Sequence, residues 1–227
     1  VLNNILVAAA NAVSDPDGVI DAKQVERQLF DVLSREIRPK ESGPVSLADV
    51  DVRLAGLQTL QVVLETCGHA LTMVWPSVFE ILGSIFAEPI SVSDQDSLKS
   101  RRNSDLPPLD LTVLSSKSQT QMLRTAFPSV NLICSDFVLS FDAAAMECAI
   151  NTLQRYGQQR LDVNITLSAI GLIWNVSDTV RSPAVELPSE ARDRLWLKLL
   201  DCLLVLGTDN RSEVRTSALQ TLFKCLE

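Results

Sequence analysis

The segment DVRLAGLQTL, Asp51 to Leu60, returns near the end of the chain as EVRTSALQTL, Glu213 to Leu222, with Val, Arg, Leu, Gln, Thr and Leu at matching places. Each copy opens on an acid, which the free N–H groups and positive dipole end of a helix start favour. An arginine, Arg53 or Arg215, then follows on the expected solvent side. Val52, Gly56, Leu60 and Val63 fall on one stripe, as do Val214, Ala218 and Leu222, so both segments read as amphipathic helices. The small residue within each stripe, Gly56 or Ala218, lets a neighbouring helix come close. A helix that recurs with polar as well as apolar positions matched is a mark of stacked helical repeats.

Looser echoes lie between the two copies, AAMECAINTL from Ala144 to Leu153 and NITLSAIGLI from Asn164 to Ile173. The expected fold is therefore all-α: a right-handed α-solenoid of armadillo/HEAT-like repeats with about nine helices, forming a single domain over residues 1–227. Composition agrees. The chain has 227 residues, 46% of them hydrophobic, enough to bury a core, and only 8 glycines, too few to punctuate an all-β fold.

Charge and cysteines narrow the function classes. A formal charge of −8 repels phosphate and argues against nucleic acid as the main ligand. The five cysteines, Cys67, Cys134, Cys148, Cys202 and Cys225, are odd in number, widely spaced and set in apolar helical contexts. That pattern fits buried, reduced thiols in a cytosolic protein rather than a disulfide framework or a zinc site. In such a protein the sequons at Asn164, Asn175 and Asn210 are accidental. The most apolar run, Leu71 to Phe86, is broken by Pro76 and Glu80 and is too short to span a bilayer. The chain opens on Val1 and breaks off in a helical pattern at Glu227, so it is expected to be cut from something longer, with Leu226 and Glu227 a conceivable cloning remnant.

Apolar periodicity places helices at Leu2–Val13, Ala22–Arg38, Leu47–Thr66, Ala70–Phe86, Ser118–Phe141, Ala143–Tyr156, Val163–Val180, Ser189–Leu206 and Ser212–Leu226. Gly68, Gly157 and Gly207 sit where left-handed terminating residues belong. Turns are expected at Asp15–Gly18 and Pro39–Pro44. Asn210 with Glu213 forms a capping box for the last helix. Residues 88–117 hold Pro89, Pro107, Pro108, many serines and no apolar period, the composition of a flexible Ser/Pro-rich insertion and a candidate partner-binding arm. Within it Arg101, Arg102 and Asn103 precede Ser104 as in a basophilic kinase site, where phosphorylation would add about two negative charges.

Catalytic chemistry is sparse. His69, the one histidine, has no acid nearby in sequence and reads as structural or solvated, because a general base needs an orienting partner. Glu41, Asp49 and Asp51 read as surface and capping acids. Glycine-rich phosphate loops, paired metal-binding carboxylates and CxxC motifs are absent. No catalytic residue, metal ligand, cofactor or small-molecule substrate is expected. Trp75, Trp174, Trp196 and the phenylalanines at 30, 79, 86, 127, 137, 141 and 223 are expected mostly to fill the core.

At AIGLIWNVSD, Ala169 to Asp178, the chain resembles the AIGLLWNISD helix of the large Golgi trafficking proteins: the BIG and GBF class of Arf exchange factors and their relative, the Mon-two (monensin-sensitivity) scaffold. NRSEVRTSALQTLFKCL, from Asn210 to Leu226, is similar to the RPEVRNSAIQTLF helix that follows in those families. With DVRLAGLQTL, the order and spacing favour the Mon-two family. The exchange factors carry a catalytic FRLPGE motif that has no counterpart in this sequence. The resemblance implies armadillo-like repeats in a cytoplasmic, peripheral membrane protein of the trans-Golgi network and endosomes. It also implies work with a Dopey-type protein and an aminophospholipid flippase, and contact with an Arf-like GTPase. Trp174, Asn175, Asp178, Arg53 and Arg215 are the positions that match the family pattern. Trp174 shares the stripe of Ile170, and Asn175 and Asp178 near the helix end are placed to hydrogen-bond the adjoining turn and fix the angle between units.

The leading expectation is a non-catalytic trafficking scaffold. One rival is a membrane-surface module that binds anionic lipid through Arg35, Arg38 and Lys40 or through Lys99, Arg101 and Arg102, against which the net acidity weighs. The other is a regulatory region of an Arf guanine-nucleotide exchange factor.

Overall fold

Apolar residues at helical spacing form helices throughout the computed structural model, which describes residues 22–38, 47–86 and 111–227. The α-helices among these residues are α1 (Ala22–Ile37), α2 (Leu47–Cys67), α3 (Trp75–Gly83), α4 (Leu111–Leu132), α5 (Ala143–Gln158), α6 (Val163–Arg181), α7 (Ser189–Gly207) and α8 (Ser212–Leu226), and the described residues contain no strand. The α5–α6 and α7–α8 pairs are helical hairpins; α7 lies on α5 and α8 on α6, so the second hairpin stacks on the first. Earlier in the chain α2 packs against α1 and α4, and α3 against α5. One apolar core runs from Leu29 in α1 to Cys225 in α8. This is an all-α helical-repeat solenoid. Among the described residues no helix is long and apolar enough to cross a membrane.

Local chemistry sets several helix starts. The Asp142 side chain accepts the Ala145 N–H at 2.7 Å and the Asp162 side chain the Asn164 N–H at 3.1 Å, opening α5 and α6. For α3 the acceptor comes from another helix: Glu26 of α1, buried, takes the N–H groups of Thr72, Met73 and Val74 on one oxygen at 3.0, 2.9 and 3.2 Å. Those three donors would otherwise lie unpaired at a helix entrance.

The structure corrects several expectations. The helix expected over Ala70–Phe86 is a 3-10 turn at Gly68–Ala70, then α3, then a second 3-10 turn at Ser84–Phe86; Pro76, which fits a first helical turn but not an interior, makes the chain restart there. Residues 111–117, assigned to the flexible insertion, belong to α4. That helix carries Pro128 internally and widens into a π turn at Ile133–Phe137 and a 3-10 turn at Val138–Ser140. The widened turn brings Phe137 onto Trp75, ring centroids 5.6 Å apart.

Gly68, Gly157 and Gly207 do not adopt left-handed conformations; each is small because a side chain lies against it, Phe137, Leu206 and Leu219 respectively. Asn210 does not cap α8. Arg211 is its N-cap, and the Asp209 carboxylate accepts the Arg211 N–H at 2.8 Å instead. The helix expected at Leu2–Val13, the turn at Asp15–Gly18, the Pro39–Pro44 link and residues 88–110 lie outside the described residues.

Candidate interaction surfaces

The two copies of the motif face differently. Arg53 is only 5% exposed; its Nε donates to the Ile37 carbonyl at 2.7 Å and its Nη2 reaches the Ser84 carbonyl at 3.4 Å. Burial lowers its pKa. The expectation of a solvated Arg53 is therefore overturned, because two carbonyls at helix ends, where the dipole is negative, lie within reach of the guanidinium. Val52, expected on the buried stripe, is 46% exposed. Gly56 does allow close approach: a Cβ there would lie 2.6 Å from Ile37 Cγ1. Arg215 does face solvent, donating to the Asp209 and Asn210 carbonyls at 2.9 and 3.0 Å, while Val214, Ala218 and Leu222 are buried as the stripe requires.

In the family-like helix α6, Ile170 is buried and Trp174 packs, partly buried, against the core. The pinning role expected of Asn175 and Asp178 falls elsewhere: among the described residues their side chains make no hydrogen bond. Asn175 contributes its carbonyl to Thr179 Oγ1 at 2.9 Å, and Asp178 its carbonyl to the Ser182 N–H at 3.0 Å. The units are clasped by three arginines that sequence reasoning missed. Arg181 donates to the Cys225 carbonyl at 3.0 Å and lies over the Trp196 ring, 5.6 Å from its centroid. Arg192 donates to the carbonyls of Val180, Ser182 and Val185 at 2.7, 3.0 and 2.9 Å. Arg211 joins two turns, donating to the Gln159 and Gly157 carbonyls at 2.8 and 3.2 Å while its fork grips Asp209, both nitrogens at 2.9 Å. The hydrogen bond from Arg211 holds the Asp209 carboxyl down at about 2. The signal available beforehand was the Asp-x-Arg spacing just before α8.

Of the basic positions, Arg35 pairs with Asp31 at 2.6 Å and Arg38 with Glu80 at 2.5 Å, so neither is an uncompensated cation. Lys40, Lys99, Arg101, Arg102 and Ser104 lie outside the described residues. His69 is exposed in the 3-10 turn, and no group of His, Cys, Asp and Glu able to hold a metal exists among the described residues. All five thiols are free, with Cys148 half-buried where burial was expected. Burial pushes the Cys134 thiol up to about 12, and burial followed by the Asp201 charge does the same at Cys202, so neither is a ready nucleophile at neutral pH. Phe223 is exposed, against the expectation of a core role.

An open groove of about 580 Å³ runs between α3 and α5, with Arg38 and Glu80 on one wall and Cys148, Asn151 and Arg155 on the other. Arg155 reaches the Gly83 carbonyl at 3.5 Å and has no carboxylate partner among the described residues. The groove offers hydrogen-bond donors from Asn151 and Arg155 beside the Arg38–Glu80 ion pair and the Cys148 thiol.

No family model matches the chain, and no solved structure does. It is similar to the Protein MON2 homolog of Schizosaccharomyces pombe, 27% identical over 98% of this chain and 14% of the relative. Against the Protein MON2 homolog of Drosophila melanogaster it is 28% identical over 78% of this chain and 10% of the relative. For the Protein MON2 homolog of Homo sapiens the figures are 26%, 78% and 10%. The chain thus spans roughly a tenth of the length of the curated relatives it matches.

Proposed function

The chain belongs to the MON2 family, and on that premise we propose that it is a non-catalytic segment of a trafficking scaffold, acting at the cytoplasmic face of trans-Golgi and endosomal membranes and holding protein partners on its stacked helices. The observation that carries the reading is the long similarity to MON2 homologs combined with a solenoid whose open groove, between α3 and α5, presents Asn151 and Arg155. Solenoids expose extended concave surfaces of this kind to polypeptides. The partner we expect is a Dopey-type protein, with an Arf-like GTPase as a second candidate.

The test is capture of a purified Dopey-type protein by the chain, by an Asn151→Ala/Arg155→Glu variant, and by a version lacking residues 88–110. Capture lost in the double variant and kept in the deletion places the partner on the groove. Capture kept in the double variant and lost in the deletion transfers it to the insertion, and no capture by any form removes this partner. Nucleotide release from Arf-type GTPases should not accelerate. Vesicle binding that is salt-sensitive and weakened by charge reversal at Arg35 and Arg38 would favour the lipid-binding alternative instead.

A further inference from the structure

Aligned by the repeated motif, Leu57 and Leu64 of α2 correspond to Leu219 and Leu226 of α8. Leu57 and Leu64 are 1% and 0% exposed, whereas Leu219 and Leu226 are 39% and 60% exposed. The difference extends along the whole helix face: Val50, Arg53 and Leu54 are buried in α2, while their counterparts Ser212, Arg215 and Thr216 are exposed in α8. Three positions are buried in both copies, Gly56 with Ala218, Leu60 with Leu222 and Val63 with Cys225. One face is therefore shared in part, with Val52 46% exposed where Val214 is buried, and a second face is covered in α2 and open in α8.

Phe223, 63% exposed, sits within that open face between Leu219 and Leu226. The hairpin mate is likewise apolar on its outer side: Leu197 and Leu204, seven residues apart on α7 and opposite its buried Leu195, Leu199 and Leu206, are also exposed. Two neighbouring helices that each turn a row of large apolar side chains to water are uncommon on a free surface and mark an interface. What fits such a face is visible within the molecule, since α7–α8 is itself seated on α5–α6 through α7 on α5 and α8 on α6. The relatives are long enough to supply another unit, because this chain spans only about a tenth of them.

We propose that the outer face of the α7–α8 hairpin seats a further helical hairpin of the same longer polypeptide, stacked as α7–α8 is on α5–α6, with Phe223 as its central contact. The Leu219–Leu226 row then takes the cover that Leu57 and Leu64 have in α2.

Cysteine accessibility tests this. In a Cys148→Ser background, Phe223→Cys and Leu197→Cys are made both in the 227-residue chain and in the longest natural polypeptide that contains it, and thiol labelling is timed under native conditions with circular dichroism to verify folding. Both sites should label at least ten-fold more slowly in the long form. Equal rates in the two forms would overturn the proposal. It would also fall if the long form became protected only after a Dopey-type protein was added. Sedimentation supplies the remaining arm: a monomeric 227-residue chain agrees with the proposal. A dimer that Phe223→Asp dissociates, with the long form still freely labelled, assigns the face to a second copy and overturns it.

Discussion

Two ten-residue segments identical at six positions occupy two settings in this molecule, and they bury different sides of themselves. In α2 the motif is enclosed by α1 and α4 and even its arginine turns inward to two carbonyls. In α8 it rests on α6 and α7 by one stripe, and its arginine stays in water. The lesson is that the sequence motif specifies a helix and only part of one packing face, since Val52 is exposed where Val214 is buried, while the neighbours decide which further side is covered. Intrinsic pattern is local, whereas burial is a property of the stack.

The comparison breaks most visibly at its leucines. Leu57→Ala should cost about 3 kcal/mol because it leaves a cavity in a filled core, whereas Leu219→Ala should cost under about 1 kcal/mol, since much of that side chain already meets solvent. Urea denaturation of the two variants measures the contrast, and equal losses would mean that the second face of α8 is as enclosed as that of α2. Arg53→Ala comes next, at about 2 kcal/mol, because it removes charge-assisted hydrogen bonds to the Ile37 and Ser84 carbonyls. The matched Arg215→Ala should stay within about 0.5 kcal/mol. Gly56→Ala improves helix propensity by about 1 kcal/mol, yet its methyl would press on Ile37. The clash should win, leaving a net loss of about 1 kcal/mol in the same titration.

Acid separates the two copies more gently. The Asp209 carboxyl, next to the second copy, has its pKa depressed to about 2 by the Arg211 hydrogen bond, against an unfolded value of about 3.9. Between those values the unfolded chain binds more protons, so this contribution is fully present above about pH 4 and fades as pH falls towards 2. Asp209→Asn should flatten that part of the stability profile, followed by thermal melts at stepped pH. Arg53 is bound to carbonyls, which do not titrate, so its own hydrogen bonds add no acid limb.

How much was legible follows the same division. The apolar stripes gave the helices described, mostly within a few residues of their ends, because each stripe is a local 3.6-residue period. The inward turn of Arg53 was hidden, since its acceptors lie 16 and 31 residues away in sequence and an arginine is ordinarily solvated. Glu26 escaped for the same reason, its three donors arriving 46 to 48 residues later. Asn175 and Asp178 had the polar chemistry expected of pins, but Arg181, Arg192 and Arg211 have the reach, and only the stacking of hairpins shows which carbonyls they meet. The groove beside Asn151 and Arg155 is assembled from α1, α3 and α5, so no single segment announces it.

Native-state hydrogen exchange of the 227-residue chain, read peptide by peptide, sets the two copies side by side in one experiment. Amides from Leu57 to Leu64 should exchange at least ten-fold more slowly than those from Leu219 to Leu226. Equal protection of the two segments, or stronger protection of the second, would contradict a motif enclosed on two faces in α2 and on one in α8.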